Sequence, residues 1–252
     1  MDPVPPGYAA AAAGGARVVA RAEALETVVE AVRAAGSLYA YAAAHPEAAA
    51  LRGRGTAYRC PAPGGAWVVR HYRRGGAAAG LLGDRYLRAG TPRPIRELHA
   101  SHAARRRGVP TPAVQAVVVQ PAGLFYRADI ATLAVPEARD LADATFGAAP
   151  LAADELCAAW RAAGSLLRHT FLAGLHHPDL NLMNVLVEGG RAAPRAWLID
   201  LDRARVLEEA LPQRQRERVV ARFHRSRRKL AAAAGRAVPA SARAAFEEAL
   251  HA

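Results

Sequence analysis

The stretch from Gly174 to Asp202 constrains this chain more than any other, because it sets chemically distinctive side chains in an order that ordinary turns do not require. It reads Gly-Leu-His-His-Pro-Asp-Leu-Asn-Leu-Met-Asn-Val-Leu-Val, then a polar turn at Glu188-Gly189-Gly190-Arg191, then Ala-Trp-Leu-Ile-Asp-Leu-Asp. Without its apolar filler it is His177-x-Asp179-x(4)-Asn184, with Asp200 sixteen residues after Asn184 (200 − 184). Two apolar runs around a Gly-Gly turn predict a β-hairpin. That hairpin gathers two carboxylates and an amide at one end.

These residue types suit chemistry on a magnesium-bound phosphate, where the protein chiefly positions a phosphoryl group and neutralises its charge. Asp200 is the expected principal magnesium ligand, and Asn184 adds a neutral oxygen. Asp179 is placed to orient an incoming hydroxyl and accept its proton, the catalytic role. Asn181 lies between them and is assigned to nucleotide binding. His177 is expected to brace the loop. Taken singly, Asp and Asn are common turn residues. The fixed sequence of helix, loop, strand, turn and strand is what points to a phosphotransferase.

Composition narrows the setting. With 252 residues the chain can form one large domain or two small lobes, and 52% apolar content argues against disorder. A net charge of +12 and a pI near 10.8 suggest an anionic partner, whether nucleic acid, a membrane surface or a phosphorylated substrate. Part of that charge follows from a sequence rich in Ala and Arg, as GC-rich coding produces. Lys229 is the only lysine, so roles usually given to lysine fall to arginine. Cys60 and Cys157 are far apart and are expected to be small core residues in a reducing cytoplasm. Met1 to Gly15 lacks a secretory pattern and reads as an Ala-rich leader. The longest uncharged run, Gly108 to Tyr126, contains three prolines and predicts strands rather than a membrane span.

Read in order, Ala16 to Ala35 has the spacing of an amphipathic helix, and residues 1–50 form an expected helical N-terminal extension. Residues 51–132 are expected to form an N-lobe with a hinge, and residues 133–252 a helical C-lobe. In the N-lobe, Gly53 and Gly55 would let backbone approach phosphate, and Arg70 on the next strand would reach the same oxygens. A helix from Pro94 to Arg107 carries Glu97, positioned as the partner of that strand cation. Ala113–Val119 and Leu124–Ile130 predict two strands. Asp154 to Leu172 is an amphipathic helix with a buried stripe of Leu156, Trp160, Ala163, Leu167 and Phe171. After Asp202 comes a basic helix in which Arg214, Arg216, Arg218, Arg222, Arg225, Arg227, Arg228 and Lys229 crowd together. It suits either a solvated face or an anionic membrane.

Several of these runs together resemble the Kdo (3-deoxy-D-manno-octulosonic acid) kinases of the lipopolysaccharide kinase family, within the protein-kinase-like superfamily. They are Gly53-Arg54-Gly55-Thr56, Val69-Arg70-His71-Tyr72-Arg73-Arg74-Gly75-Gly76, Asp84-Arg85-Tyr86-Leu87, Tyr126-Arg127-Ala128-Asp129, the His177 to Asn184 loop, and Trp197 to Arg203. The resemblance covers about residues 51 to 230. The catalytic loop is generic to the superfamily, while the Arg-His-Tyr and Asp-Arg-Tyr-Leu runs are more particular to Kdo kinases.

It implies an α+β, protein-kinase-like two-lobed fold with a mainly antiparallel β N-lobe and a mainly helical C-lobe. It also implies ATP and Mg2+ as cofactors and phosphorylation of the 4-hydroxyl of Kdo on a lipid A precursor, at the cytoplasmic face of the bacterial inner membrane. By position it assigns Asp179 as base, Asn184 and Asp200 as metal ligands, Arg70 as strand cation and Glu97 as its helix partner. Two departures from protein kinases argue against a peptide substrate: Asp202 replaces the glycine of Asp-Phe-Gly, and no Ala-Pro-Glu segment follows. Arg70 in place of lysine offers a fork for phosphate but cannot lose its charge. Other readings stay open at this point: a kinase of another small hydroxylated sugar such as heptose, or a membrane-associated pseudokinase. Nucleic-acid binding lacks any recognition motif.

Overall fold

The computed structural model describes residues 4–51, 57–73, 83–189 and 193–252. They form two compact units, one of Met1–His102 and Ala113–Ala134, the other of Ala103–Pro112 and Val135–Ala252.

The first unit is built on an antiparallel sheet. Its strands are β1 (Tyr8–Ala13), β2 (Ala16–Arg21), β3 (Ala49–Leu51), β4 (Ala57–Ala62), β5 (Gly65–His71), β6 (Tyr86–Leu87), β7 (Val114–Ala122) and β8 (Phe125–Leu133). The order is β1-β2-β7-β8-β5-β4-β3, with β6 added against β8. Helices α1 (Leu25–Ala35) and α2 (Leu38–Ala44) lie between β2 and β3 in sequence, and α3 (Arg93–Arg106) between β6 and β7.

Strand alternation supplies two cores. Val18 and Ala20 of β2, with Ala116 and Val118 of β7, pack with Val28, Val32 and Leu38 of the first two helices. Val19, Val117 and Val119 point the other way, into a cluster with Ile95 and Leu98 of α3. Val114 joins that second cluster although it is even-numbered like Ala116. An irregularity in the β7–β8 register between Val114 and Ala116 accounts for this, because one extra residue switches the face.

This arrangement corrects the expected N-terminal extension. Tyr8–Ala13 and Ala16–Arg21 are strands of the shared sheet, not a leader and a helix, and of the predicted helix only a 3-10 turn at Ala22–Ala24 and the α-helix Leu25–Ala35 are helical. Gly14 and Gly15 adopt φ values of 53° and 81°, which make a hairpin turn, and β2 pairs with β7 through Val18↔Val118. Non-local pairing overrides the helix preference of alanine here.

The second unit begins with β9 (Ala138–Asp140), α4 (Leu141–Phe146) and α5 (Ala153–Leu172). Next come β10 (Leu175–His176), a 3-10 turn at Leu182–Asn184, β11 (Val185–Glu188), β12 (Ala196–Leu198) and β13 (Arg205–Val206), and then α6 (Gln213–Ala234) and α7 (Ala240–His251). All five stripe residues predicted on α5 are buried. Trp160 meets the edges of Phe223 and Phe246, whose rings stack at 5.0 Å, and donates its indole N–H to Thr145 Oγ1 at 3.1 Å. Gly164 lets α5 and α7 approach: a Cβ there would lie 2.3 Å from the Phe246 carbonyl oxygen. Cys60 is a buried core residue as expected, but Cys157 is only half-buried and donates to Ser241 Oγ at 3.3 Å.

Candidate active site

Each unit carries part of the expected set of residues. In the second, β11 pairs antiparallel with β12 through Val185↔Leu198, Leu186↔Trp197 and Val187↔Ala196. The Ile199 N–H donates to the Asn184 carbonyl at 3.0 Å, so Asn184 and Asp200 emerge at the same end of this ribbon. Asp200 has φ 65°, a left-handed conformation uncommon for a residue with a side chain. Such strain persists where the surroundings impose it, and it is frequent in functional sites.

The loop preceding β11 is held from within. Leu180 and Leu182 are fully buried anchors, and His177 is buried with Nε2 donating to the Ile199 carbonyl at 3.2 Å. That bond ties the loop to the residue before Asp200, the bracing role expected of His177. Asn181 caps the 3-10 turn by accepting from Met183 N at 2.9 Å and donates to the Asp179 carbonyl at 2.8 Å. Asn184 Nδ2 donates to that same carbonyl at 3.2 Å. Two amides therefore fix the Asp179 backbone, and the carboxylate projects from a rigid base. Its Oδ2 accepts from Arg203 at 2.6 Å and its Oδ1 pairs with Arg222 of α6 at 2.9 Å. Asn181, expected near the nucleotide, uses its Oδ1 and one amide N–H within the loop, so a phosphate contact would fall to the second N–H.

In the first unit, Arg70 of β5 forms an ion pair with Glu97 of α3, and the Tyr72 hydroxyl donates to the other Glu97 oxygen. Glu97 is 3% exposed, so both partners are needed to hold its charge there. The Arg70 guanidinium also lies 5.2 Å from the centre of the Tyr72 ring. Gly53 and Gly55 lie outside the described residues.

The sequence model of the lipopolysaccharide kinase (Kdo/WaaP) family matches residues 28–240. The chain belongs to this family. A 3-deoxy-D-manno-octulosonic acid kinase of Xanthomonas oryzae is 40% identical over 180 residues, 71% of this chain and 68% of its own length. One from Stenotrophomonas maltophilia is 37% identical over 166 residues, 65% of this chain and 63% of its own length. A solved structure of WaaP in complex with acyl carrier protein has a TM-score of 0.52 and 19% identity, over 80% of this chain and 77% of that one. The shared fold is protein-kinase-like, with an antiparallel sheet and a helical portion.

As a family kinase the chain is expected to use a divalent cation. Among the described residues no three His, Cys, Asp or Glu cluster as a metal site. The donor set nevertheless fits magnesium, which takes one or two carboxylates and completes its shell with phosphate and water. Asp200 offers a carboxylate and Asn184, its amide nitrogen committed to Asp179, offers Oδ1.

The structure also assembles a cluster that the residue-by-residue reading missed. His71 Nδ1 is 2.6 Å from Asp129 Oδ1, and Nε2 is 3.0 Å from Asp84 Oδ2. Asp129 also accepts from the Tyr39 N–H at 3.0 Å, and Arg127 donates to Asp84 at 3.0 Å. Both ring nitrogens of His71 face carboxylates, so both donate and the ring is cationic. The bonded Asp129 raises the His71 pKa and burial opposes it, while Asp84 adds to the rise. Alongside, Tyr86 stacks on Tyr126 at 5.6 Å, and the Tyr126 hydroxyl accepts from Arg93 N at 3.0 Å. These contacts join the Arg-His-Tyr and Asp-Arg-Tyr-Leu runs, the two more particular to the Kdo kinases, to the Tyr126–Asp129 run. Their joint appearance in sequence was the available signal.

Proposed function

We propose that the protein is a Kdo kinase that transfers the γ-phosphoryl group of ATP to the 4-hydroxyl of Kdo on a lipid A precursor, in lipopolysaccharide core biosynthesis. The observation that carries this reading is the Asp179 loop, whose carboxylate is presented from a backbone clamped by Asn181 and Asn184. Relatives named 3-deoxy-D-manno-octulosonic acid kinase, 37–40% identical, support the acceptor.

In this reading Asp179 orients the acceptor hydroxyl and takes its proton as the oxygen attacks phosphorus. Asn184 and Asp200 would hold magnesium, which would supply positive charge to the phosphate oxygens. Arg70 contributes a fixed guanidinium for phosphate, and Glu97 with Tyr72 sets its direction. Gly53 and Gly55 are the proposed backbone contacts to the nucleotide. An acceptor anchored in lipid places the enzyme at the cytoplasmic face of the inner membrane. Among the described residues no helix is long and apolar enough to cross a membrane, and the basic α6 supports peripheral contact with an anionic surface.

The test is transfer of labelled phosphate from ATP to a Kdo-lipid acceptor, with the product located by mass spectrometry. Wild-type protein labels the acceptor at the 4-hydroxyl, and Asp179→Ala abolishes labelling. An acceptor left unlabelled by wild-type protein overturns the assignment.

A further inference from the structure

Asp179 is held by two arginines whose presence the fold does not require. Arg203 lies on the turn after β12 and Arg222 near the middle of α6, and their side chains are 58% and 43% exposed. The α6 residues that pack inward are Val219 and Phe223. Ion pairs this exposed add little to stability, so anchoring does not explain two cations converging on one carboxylate. Arg222 has a second peculiarity. Its Nη2 meets Asp179, yet its Nε is buried and, among the described residues, has no hydrogen-bond partner. A buried donor left unmet is costly, so the contacts that Arg222 makes do not satisfy its guanidinium fully.

The surroundings carry the same sign. At helical spacing from Arg222 stand Arg218, Arg225 and Lys229, all exposed. Among the described residues none of these three has an acidic partner. A row of unneutralised cations therefore leads along α6 away from the catalytic carboxylate.

We infer that Arg203 and Arg222 form a subsite for the carboxylate of the acceptor sugar. The inference rests on the Kdo kinase reading, in which the acceptor is an ulosonic acid whose carboxylate belongs to the same ring as the reacting hydroxyl. Guanidinium forks match carboxylates in shape and charge. Each arginine uses one nitrogen on Asp179 and has further donors for a second anion. An acceptor gripped by its acid group presents a single hydroxyl to Asp179, so the subsite selects acidic sugars and fixes which oxygen reacts. Arg218, Arg225 and Lys229 extend the positive surface towards the rest of an anionic acceptor.

The experiment is steady-state kinetics of the full chain with ATP and two acceptors, the Kdo lipid and its Kdo methyl ester. A charge-assisted contact of this kind corresponds to roughly a 10-fold to 100-fold effect on affinity. Wild-type enzyme is expected to prefer the acid by about 10-fold or more in kcat/KM. Arg222→Gln and Arg203→Gln raise KM for the acid by about 10-fold, lose the preference over the ester, and leave KM for ATP within about twofold. Arg222→Lys, which keeps the charge, regains part of the preference. Melting curves of each variant separate misfolding from loss of the subsite. Folded glutamine variants that keep the wild-type acceptor KM and the wild-type preference overturn the inference while leaving the Kdo kinase reading intact. A wild-type enzyme active on neither acceptor overturns both.

Discussion

The buried acids of the first unit and the catalytic-loop acid of the second are held on opposite terms. In the first unit, Glu97 and Asp129 are 3% and 1% exposed, and each has its hydrogen-bond partners arranged around it before any ligand arrives. In the second, Asp179 is 32% exposed and its partners are two arginines whose side chains are 58% and 43% exposed. Breaking a buried pair leaves a charge without solvent, whereas breaking an exposed one returns both groups to water. Glu97 is therefore scaffolding for Arg70 and Asp129 for His71, whereas the pairs of Asp179 can exchange at little cost. In the proposed reading, chemistry and stability fall to different carboxylates.

Substitution of the carboxylates tests that division directly, and the largest effect falls on activity. Asp179→Asn should lower the phosphoryl-transfer rate by about 1000-fold, within the range for loss of a general base. Its melting temperature should stay within about 4 °C of wild type, because exposed ion pairs contribute about 1 kcal/mol or less in a chain of this size. A much larger drop in melting temperature would erase the contrast. Glu97→Ala should do the reverse in kind. Removing this acid strands Arg70 and the Tyr72 hydroxyl, at a cost of about 3 kcal/mol in urea unfolding. Replacing Arg70 and Glu97 together by methionine should recover part of that loss, since the stranded charge disappears with its partner. Activity should stay low in the double variant, because the proposed phosphate contact is gone.

How far the sequence foretold these clusters depends on how local their logic is. The His177 to Asp200 segment was legible because its polar residues are close in sequence and their order follows loop, strand and turn. The stripe on α5 was legible from helical spacing alone. The first two strands were not, since runs of alanine favour helix and only pairing with β7, about 100 residues away, decides otherwise. The contact of His71 with Asp129 spans 58 positions and no periodicity marks it. Arg222 was hidden in another way: it sits among many arginines of α6, and composition cannot single out the one that meets Asp179.

The smallest effect sharpens the same contrast through pH. The hydrogen bond to Asp129 raises the His71 pKa in the folded protein, against burial and with help from Asp84. A raised folded-state value means the contribution is complete below the ordinary histidine value of about 6.5 and is lost as pH climbs through the folded-state value above it. Asp84 moves oppositely: burial raises it, but Arg127 and His71 together bring it below its ordinary value, so its contribution persists above the normal aspartate range and fades only in acid. Between pH 6 and 9 the histidine alone of this group supplies the slope. His71→Gln should cost about 1–2 kcal/mol at pH 6, the worth of a hydrogen bond to a charged group. The gap between wild type and variant should narrow as pH rises, read as urea midpoints at pH 6, 7.5 and 9. A gap that stays constant across that range would mean that the imidazolium is not what binds Asp129, and the His71 cluster would owe its stability to neutral hydrogen bonds instead.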